Sequence, residues 1–484
     1  MNIPRDQRTI QKYLTTYAEP EARWTEAQLE RLPADDWDYV ITIPACGEDQ
    51  YLPGALQSIN QCQAVQSSRR VLCIVVLNGN ESRAAEFRLS NEKMRSWFEN
   101  NCTTIADPLN SQGSCPQRLL SWQRLEILVI DRSLEPWLIP ADQGVGLVRK
   151  IGADLALFLY AAGKVKSSWI HATDADARVP ADYLIRTDQM EGKAAGVFTS
   201  VSCVIYPYRH IPDPGMSADD HRRYWNALTD YELWLRYYTE GLQWAGSSYA
   251  YPSIGSLLAF DCLAYAKIRG FPKRMAGEDF YFQNKLAKVG SMMMLEGEPI
   301  ELLTRPSNRV PFGTGQGTIS IERLHQAGDI YEVYHPSTFY FLKGFLAAAR
   351  AWLQSPMQTD EQRQASFYRS LETALPVDFA DQAAAREWLH TLLSELQVFS
   401  NLNAAEQRSK SVAGAMQQFD DWFDSFRTLK LIHRLRDDVC GRVALLQALD
   451  SAIFISAADP QATDQSSRAQ WLDRLRDKAG VSND

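Results

Sequence analysis

The feature that most constrains this chain is an alternation of short β-branched runs with helical stretches. Residues 38–44 (DYVITIP) and 71–77 (VLCIVVL) are two such runs, and residues 52–62 between them have helical composition, which makes a βαβ opening. Parallel strands need a crossover, so the opening commits the chain to a sheet with helices on its faces. The alternation continues. Runs at 125–130 and 168–173 flank a helical stretch at 146–162, in which Leu147, Ile151, Leu155 and Phe158 share one face. A strand is expected at 197–205, an aromatic-rich helix at 219–241, a strand at 254–260 and a helix from about Glu278. Residues 37–320 thus read as one α/β domain, behind an N-terminal helical extension at 1–36.

Beyond Ser320 the pattern changes to amphipathic helices at 336–354, 361–374, 381–399 and 419–449, with no convincing strand between them. A C-terminal all-α module over 321–484 is expected, its polar tail from Asp459 fraying. The length of 484 residues agrees with two domains, since one hydrophobic core rarely supports so many.

Charge and cysteine usage narrow the function. A formal charge of -9 provides no dominant basic surface, so nucleic acid is not an expected partner. None of the eight cysteines has the two-residue spacing of a zinc or redox motif, which leaves them as reduced core residues. Residues 1–19 are polar, and the apolar window 339–353 is interrupted by Lys343 and Arg350 and is too short to span a bilayer. The expectation is a cytoplasmic protein without a transmembrane segment, with peripheral membrane contact left open.

The densest chemical signal lies in residues 169–184 (WIHATDADARVPADYL), where a strand runs into Asp174, Ala175 and Asp176. Alternate residues of an extended chain project to the same side, so both carboxylates can face one Mg²⁺ or Mn²⁺ ion. Two solvated turn aspartates would read the same way. About a hundred residues later Gly277, Glu278 and Asp279 stand at a helix start. Acidic residues there cap the helix and meet its dipole, or one of them serves as a general base. Asp279 is favoured over Glu278, with the dipole expected to keep it ionised and to lower its basicity.

Weaker signals surround these. Residues 305–317 (RPSNRVPFGTGQG) combine Arg305 and Arg309 with glycines, as a lid over phosphates or an ordinary surface connector would. Gly144 and Gly146 lack the third glycine of a dinucleotide fingerprint, so no NAD site is implied. Tyr231, Trp234 and Tyr238 fit a buried helical stripe, whereas Trp244 and Tyr249 lie off it and are better acceptor contacts. His171 and His335 read most simply as structural histidines.

Taken in order, these pieces resemble the family 2 glycosyltransferases of the GT-A fold, through about 280 residues. Residues 39–53 (YVITIPACGEDQYLP) are similar to that family's first strand and turn, with Pro44 and Glu48 at the matching positions. Residues 145–155 (VGLVRKIGADL) resemble the basic helix before the DxD, in which Arg149 or Lys150 would approach the diphosphate. Residues 255–282 resemble the acceptor-side strand, its glycine-phenylalanine turn and its acidic ED motif. The resemblance implies a Rossmann-like mixed sheet with helices on both faces. It also implies a nucleotide-sugar donor held by the opening strands, metal at Asp174 and Asp176, and Asp279 deprotonating an acceptor hydroxyl with inversion. Some GT-A enzymes recruit a late histidine as a third metal ligand, which makes His335 a candidate. Asn78, Gly79 and Asn80 replace the family's aspartate-rich turn, so the nucleobase stays open, with a UDP-sugar as the default. The QxxRW motif of processive enzymes is missing, which points to single-sugar transfer. Two rivals stand beside this reading: a nucleotidyltransferase, whose glycine-rich basic signature is missing, and a non-catalytic sugar-nucleotide-binding or scaffold protein.

Overall fold

The computed structural model describes residues 5–107, 109, 114–190, 200–213, 215–306, 313–355, 358–376, 382–456 and 467–481. The chain divides into two compact units. The first comprises residues 1–222, 253–319 and 476–484; the second comprises 223–252 and 320–475. One division of the chain falls between residues 319 and 320. The aromatic segment 223–252 lies in the second unit.

In the first unit α1 (Arg5–Thr16) and the short α2 (Glu26–Leu29) precede β1 (Tyr39–Ala45). Then come α3 (Leu52–Asn60), α4 (Gln63–Gln66), β2 (Val71–Asn78), α5 (Ala84–Asn101), β3 (Thr103–Ala106), β4 (Gln117–Trp122), β5 (Leu125–Arg132) and α6 (Gly144–Ala161). The chain continues through β6 (Trp169–Ala172), β7 (Ala177–Arg178), β8 (Val201–Ile205), β9 (Tyr208–Pro212) and the start of α7 (Ala218–Ala245). It returns with β10 (Leu258–Asp261), α8 (Cys262–Lys267), α9 (Glu278–Leu286), β11 (Ser291–Met294) and β12 (Ile300–Thr304).

Nine strands form one mixed sheet in the order β11-β8-β10-β6-β1-β2-β5-β4-β3. β1 pairs in parallel with β2 and β6, and β2 in parallel with β5. β10 runs antiparallel between β6 and β8, and the β3–β4 hairpin adds an antiparallel edge. The α/β architecture expected from the sequence is therefore present. Its central strands are β-branched along their length because both faces are covered: β2 is buried at every position except Asn78. α6 packs on β1 and β2, and Gly152 permits the approach, since a Cβ there would lie 3.2 Å from Thr42. A second, three-stranded sheet, β7-β12-β9, stands at the carboxyl end of β6.

The second unit is built on the helix Ser337–Gln354, whose Phe341, Phe345, Ala349 and Trp352 are buried. Two sequence expectations fail here. The helix anticipated at 419–449 is broken where Asp424 caps a new start by accepting the Arg427 amide, and again at Gly441, which is left-handed at φ 66°. A strand pair also exists: β13 (Glu332–Tyr334) joins β14 (Arg442–Ala444) antiparallel. The helix anticipated at 381–399 likewise divides, at Gln397 with φ 54°. In the C-terminal tail, Trp471, Leu472 and Leu475 of the helix Arg468–Lys478 are buried, so that part of the expected fraying is not seen.

Candidate active site

Parallel strands deliver their carboxyl ends to one edge, and the acidic motifs of the first unit gather there. β6 sits between β1 and β10, and its extension is tied to β1 by the Thr173 amide donating to the Thr42 carbonyl at 3.2 Å. Beyond β6 the chain turns rather than staying extended, the Ala177 amide donating to the Asp174 carbonyl at 3.2 Å; Ala175 is buried at 1% exposure, while Asp174 and Asp176 are drawn into separate ion pairs. Gly277, left-handed at φ 70°, turns the chain into α9 and sets Glu278 and Asp279 in its first turn.

One arginine joins the two acidic motifs. Arg149 of α6, 7% exposed, donates Nη2–H to Asp174 Oδ1 at 2.8 Å and Nε–H to Glu278 Oε1 at 2.9 Å. Burial works against its charge, but Asp174 and Glu278 outweigh that and hold the guanidinium above its ordinary pKa. Gly255 makes the room: a Cβ there would lie 2.6 Å from Arg149 Nη2. Arg149 Nη1 is buried with no hydrogen-bond partner among the described residues.

A second arginine draws in the turn after β1. Arg305, just past β12, bonds Glu48 Oε2 at 2.7 Å and Asp176 Oδ2 at 3.0 Å, and lies 3.9 Å over the Tyr51 ring. Tyr51 in turn donates its hydroxyl to Asp213. Tyr51 and Asp213 had no signal in the sequence, because an unremarkable tyrosine gains meaning only from the arginine stacked on it.

Five carboxylates, from Glu48, Asp174, Asp176, Glu278 and Asp279, thus share one region with two ion-paired guanidiniums. The excess negative charge resists full ionisation. Burial raises the Asp279 carboxyl to about 7, with Glu278 pushing the same way and Arg149 opposing. This corrects the expectation from the helix dipole, which had its basicity lowered; burial is the larger effect. Asp176 is pushed up to about 6 by burial and Asp174, against Arg305. An excess of carboxylates also suits a divalent cation. Among the described residues no three His, Cys, Asp or Glu side chains are grouped to hold an ion. Asp174 and Asp176 are the carboxylates that could hold a divalent ion there, with phosphate oxygens of a substrate needed to complete the ligand set.

The remaining sequence candidates separate. Pro44 lies in β1 opposite Val76, and Asn78 donates its side-chain amide to the Ala45 carbonyl at 3.0 Å, so both serve the junction of β1 and β2. Lys150, unlike its neighbour Arg149, turns away from the carboxylate cluster. Its ammonium is buried against Asp154 at 2.8 Å and the Tyr13 hydroxyl at 2.6 Å, in a network that Tyr265 and the Glu19 amide complete. That network anchors α1 on α6. His171 is fully buried among Tyr39, Tyr183 and Tyr206, and burial depresses it to about 4, so it is neutral at physiological pH. His335 belongs to the second unit, where its Nδ1 accepts the Ser337 amide at 3.2 Å. Trp244 and Tyr249 are in that unit too: Trp244 packs on Tyr340 and Phe454, and Tyr249 donates to the Asp420 carbonyl. Arg309 lies outside the described residues. All eight cysteines are free thiols. No described helix is long and apolar enough to cross a membrane.

No family model matches the chain, and no curated protein matches it in sequence. Two of the solved structures that resemble it are S. aureus TarS and a mannosyltransferase. Residues 1–349 of S. aureus TarS in complex with UDP-GlcNAc align at 10% identity and a TM-score of 0.32, over 83% of this chain and 92% of that one. The mannosyltransferase PcManGT from Pyrobaculum calidifontis, in complex with GDP-Man and Mn²⁺, aligns at 12% identity and a TM-score of 0.31, over 88% and 95%. Scores at this level describe a loose likeness of chain trace and assign neither a fold nor an activity.

Proposed function

We propose that this protein is a metal-dependent glycosyltransferase of the GT-A type that moves a single sugar from a nucleoside diphosphate sugar to an acceptor hydroxyl. The observation that carries the reading is the bridge made by Arg149, which draws the strand-end Asp174 and the helix-start Glu278 into one charged cluster beside Asp279. Capping residues or solvated turn aspartates have no need of a shared buried arginine.

In this reading Asp279 is the base. A carboxyl near 7 is ionised in a useful fraction at neutral pH and still basic enough to take a proton as the acceptor oxygen attacks. The new bond forms between that oxygen and the anomeric carbon as the bond from the carbon to the diphosphate oxygen breaks, and attack from the opposite face inverts the centre. Asp174 and Asp176 would hold a divalent ion, which when bound would supply Lewis-acid neutralisation of the leaving diphosphate. Arg149 and Arg305 hold the carboxylates in place so that little reorganisation is needed during transfer. Glu278, committed to Arg149, is a positioning residue.

UDP-GlcNAc and GDP-mannose are the donors for a first assay. With Mn²⁺ and a labelled donor, release of the sugar without acceptor is expected, and Asp174→Ala or Asp176→Ala abolishes it. Release that survives both substitutions would sink the reading.

A further inference from the structure

The two carboxylates assigned to a divalent ion are both held by guanidiniums, but not on equal terms. Asp174 gives Arg149 only Oδ1, at 2.8 Å, and its side chain is 32% exposed, so its second oxygen is open to an ion. Asp176 gives Oδ2 to Nη1 of Arg305 at 3.0 Å, while Nη2, the other end of the same fork, holds Glu48 Oε2 at 2.7 Å. The seat of this guanidinium does not depend on Asp176. Its face lies 3.9 Å over the Tyr51 ring, and Tyr51 donates its hydroxyl to Asp213. The Asp213 amide in turn donates to the Thr304 carbonyl at 3.2 Å, next to Arg305 in the chain. The backbone also fixes the distance to the acidic turn, since the Leu303 amide donates to the Asp176 carbonyl at 3.1 Å. Arg305 therefore keeps Glu48, Tyr51 and its strand when Asp176 lets go. An ion arriving at Asp176 Oδ2 meets an oxygen already committed to a charge-assisted hydrogen bond, and two cations on one oxygen repel.

We propose that Arg305 is a resident counter-cation of the metal site: it occupies Asp176 in the metal-free protein, and a divalent ion binds by displacing Nη1 while Glu48 and Tyr51 retain the guanidinium. The inference rests on Asp174 and Asp176 as the metal ligands. Displacement lowers the affinity for a bare ion, and an ion that brings phosphate oxygens with it offsets that loss. Loading is thereby biased toward the ion and the nucleotide together, before transfer begins.

The probe is Mn²⁺ alone, titrated against the full chain without nucleotide, with the free ion read from its electron paramagnetic resonance signal. Arg305→Gln should bind Mn²⁺ about tenfold tighter than the wild type or more, the equivalent of one charge-assisted hydrogen bond, and adding Asp176→Asn should abolish the gain. Arg178→Gln controls for the general field. Arg178 follows Asp176 by two residues and makes no ion pair among the described residues, its Nη1 donating to the Ala177 carbonyl at 3.2 Å. Its loss removes the same charge without freeing Asp176, so Mn²⁺ affinity should change far less. Glu48→Gln leaves the guanidinium to Asp176 and should weaken Mn²⁺ binding, which reads the competition independently if Arg305→Gln melts early. Equal tightening in Arg178→Gln, no tightening in folded Arg305→Gln, or unchanged binding in Glu48→Gln overturns the displacement. If Asp176→Asn still loses Mn²⁺ in that case, the metal site stands. Binding by neither the wild type nor any variant, with UDP or GDP or without, removes the metal site as well.

Discussion

Replacing Arg149 with methionine removes the one cation that joins the two acidic motifs. The guanidinium is 7% exposed and makes ion pairs of 2.8 and 2.9 Å, so its loss leaves Glu278 buried without a counter-charge, while Asp174, 32% exposed, loses its partner to solvent. Breaking a buried pair by removing one partner costs ~3–5 kcal/mol. At ~2–4 °C per kcal/mol for a unit of this size, melting should fall on the order of 10 °C. Asp279 also loses the positive neighbour that opposes its rise. A unit charge at roughly 6 Å, with an effective dielectric of about 20, is worth about 3 kcal/mol, or up to about two pK units. The acid limb of kcat/KM should therefore move to higher pH, because the base needs more alkaline solution to ionise. Arg149→Lys keeps the charge but cannot bridge two carboxylates at once, so its limb should stay near the wild-type position while part of the melting loss remains. Calorimetry and the pH profile of residual donor turnover read the two effects. An Arg149→Met protein that melts with the wild type and keeps its limb would refute the bridge.

Other consequences follow from the same geometry. Asp279→Asn should lower transfer by about 10²–10⁴-fold, as loss of a general base does, while wild-type kcat/KM climbs with pH and levels off above about 7. Because the folded pKa of Asp279 is raised, the stability gained from keeping it protonated is full below about pH 4 and fades as pH rises through about 7. Thermal scans should accordingly show Asp279→Asn melting above the wild type at pH 8 and with it at pH 4. Asp154→Ala leaves Lys150 buried without its carboxylate and should cost ~3–5 kcal/mol in chemical denaturation. Gly146→Ala puts a Cβ 2.4 Å from the Pro272 carbonyl oxygen, where only backbone can yield, so a loss of ~1–3 kcal/mol and reduced turnover are expected.

The parts legible in the sequence are those that local pattern controls. β1, β2 and β6 announced themselves because strands covered on both faces are largely apolar, whereas the extended path expected through Asp174 and Asp176 is a turn, closed by the Ala177 amide on the Asp174 carbonyl. Contacts between distant residues were not legible. Arg149 and Lys150 are successive residues of one helix, about 100° apart around its axis, and nothing local distinguishes the one facing Asp174 from the one facing Tyr13, 137 residues away. The pairing of Arg305 with Glu48 spans 257 residues and depends on β12 joining the small sheet beside β7. The direction of the Asp279 shift was missed because the helix dipole can be read from a motif, whereas burial cannot. β13 and β14 escaped notice because three-residue strands a hundred positions apart carry no periodic signal.

The proposed function requires Asp174, Asp176 and Asp279 to enclose one diphosphate, and calorimetric titration of the full chain with UDP and GDP, with and without Mn²⁺, tests this most directly. One nucleotide should bind, tightly only with Mn²⁺, and Asp176→Asn should abolish the metal's effect. Binding indifferent to the metal, or preserved in full by Asp176→Asn, would contradict the assignment.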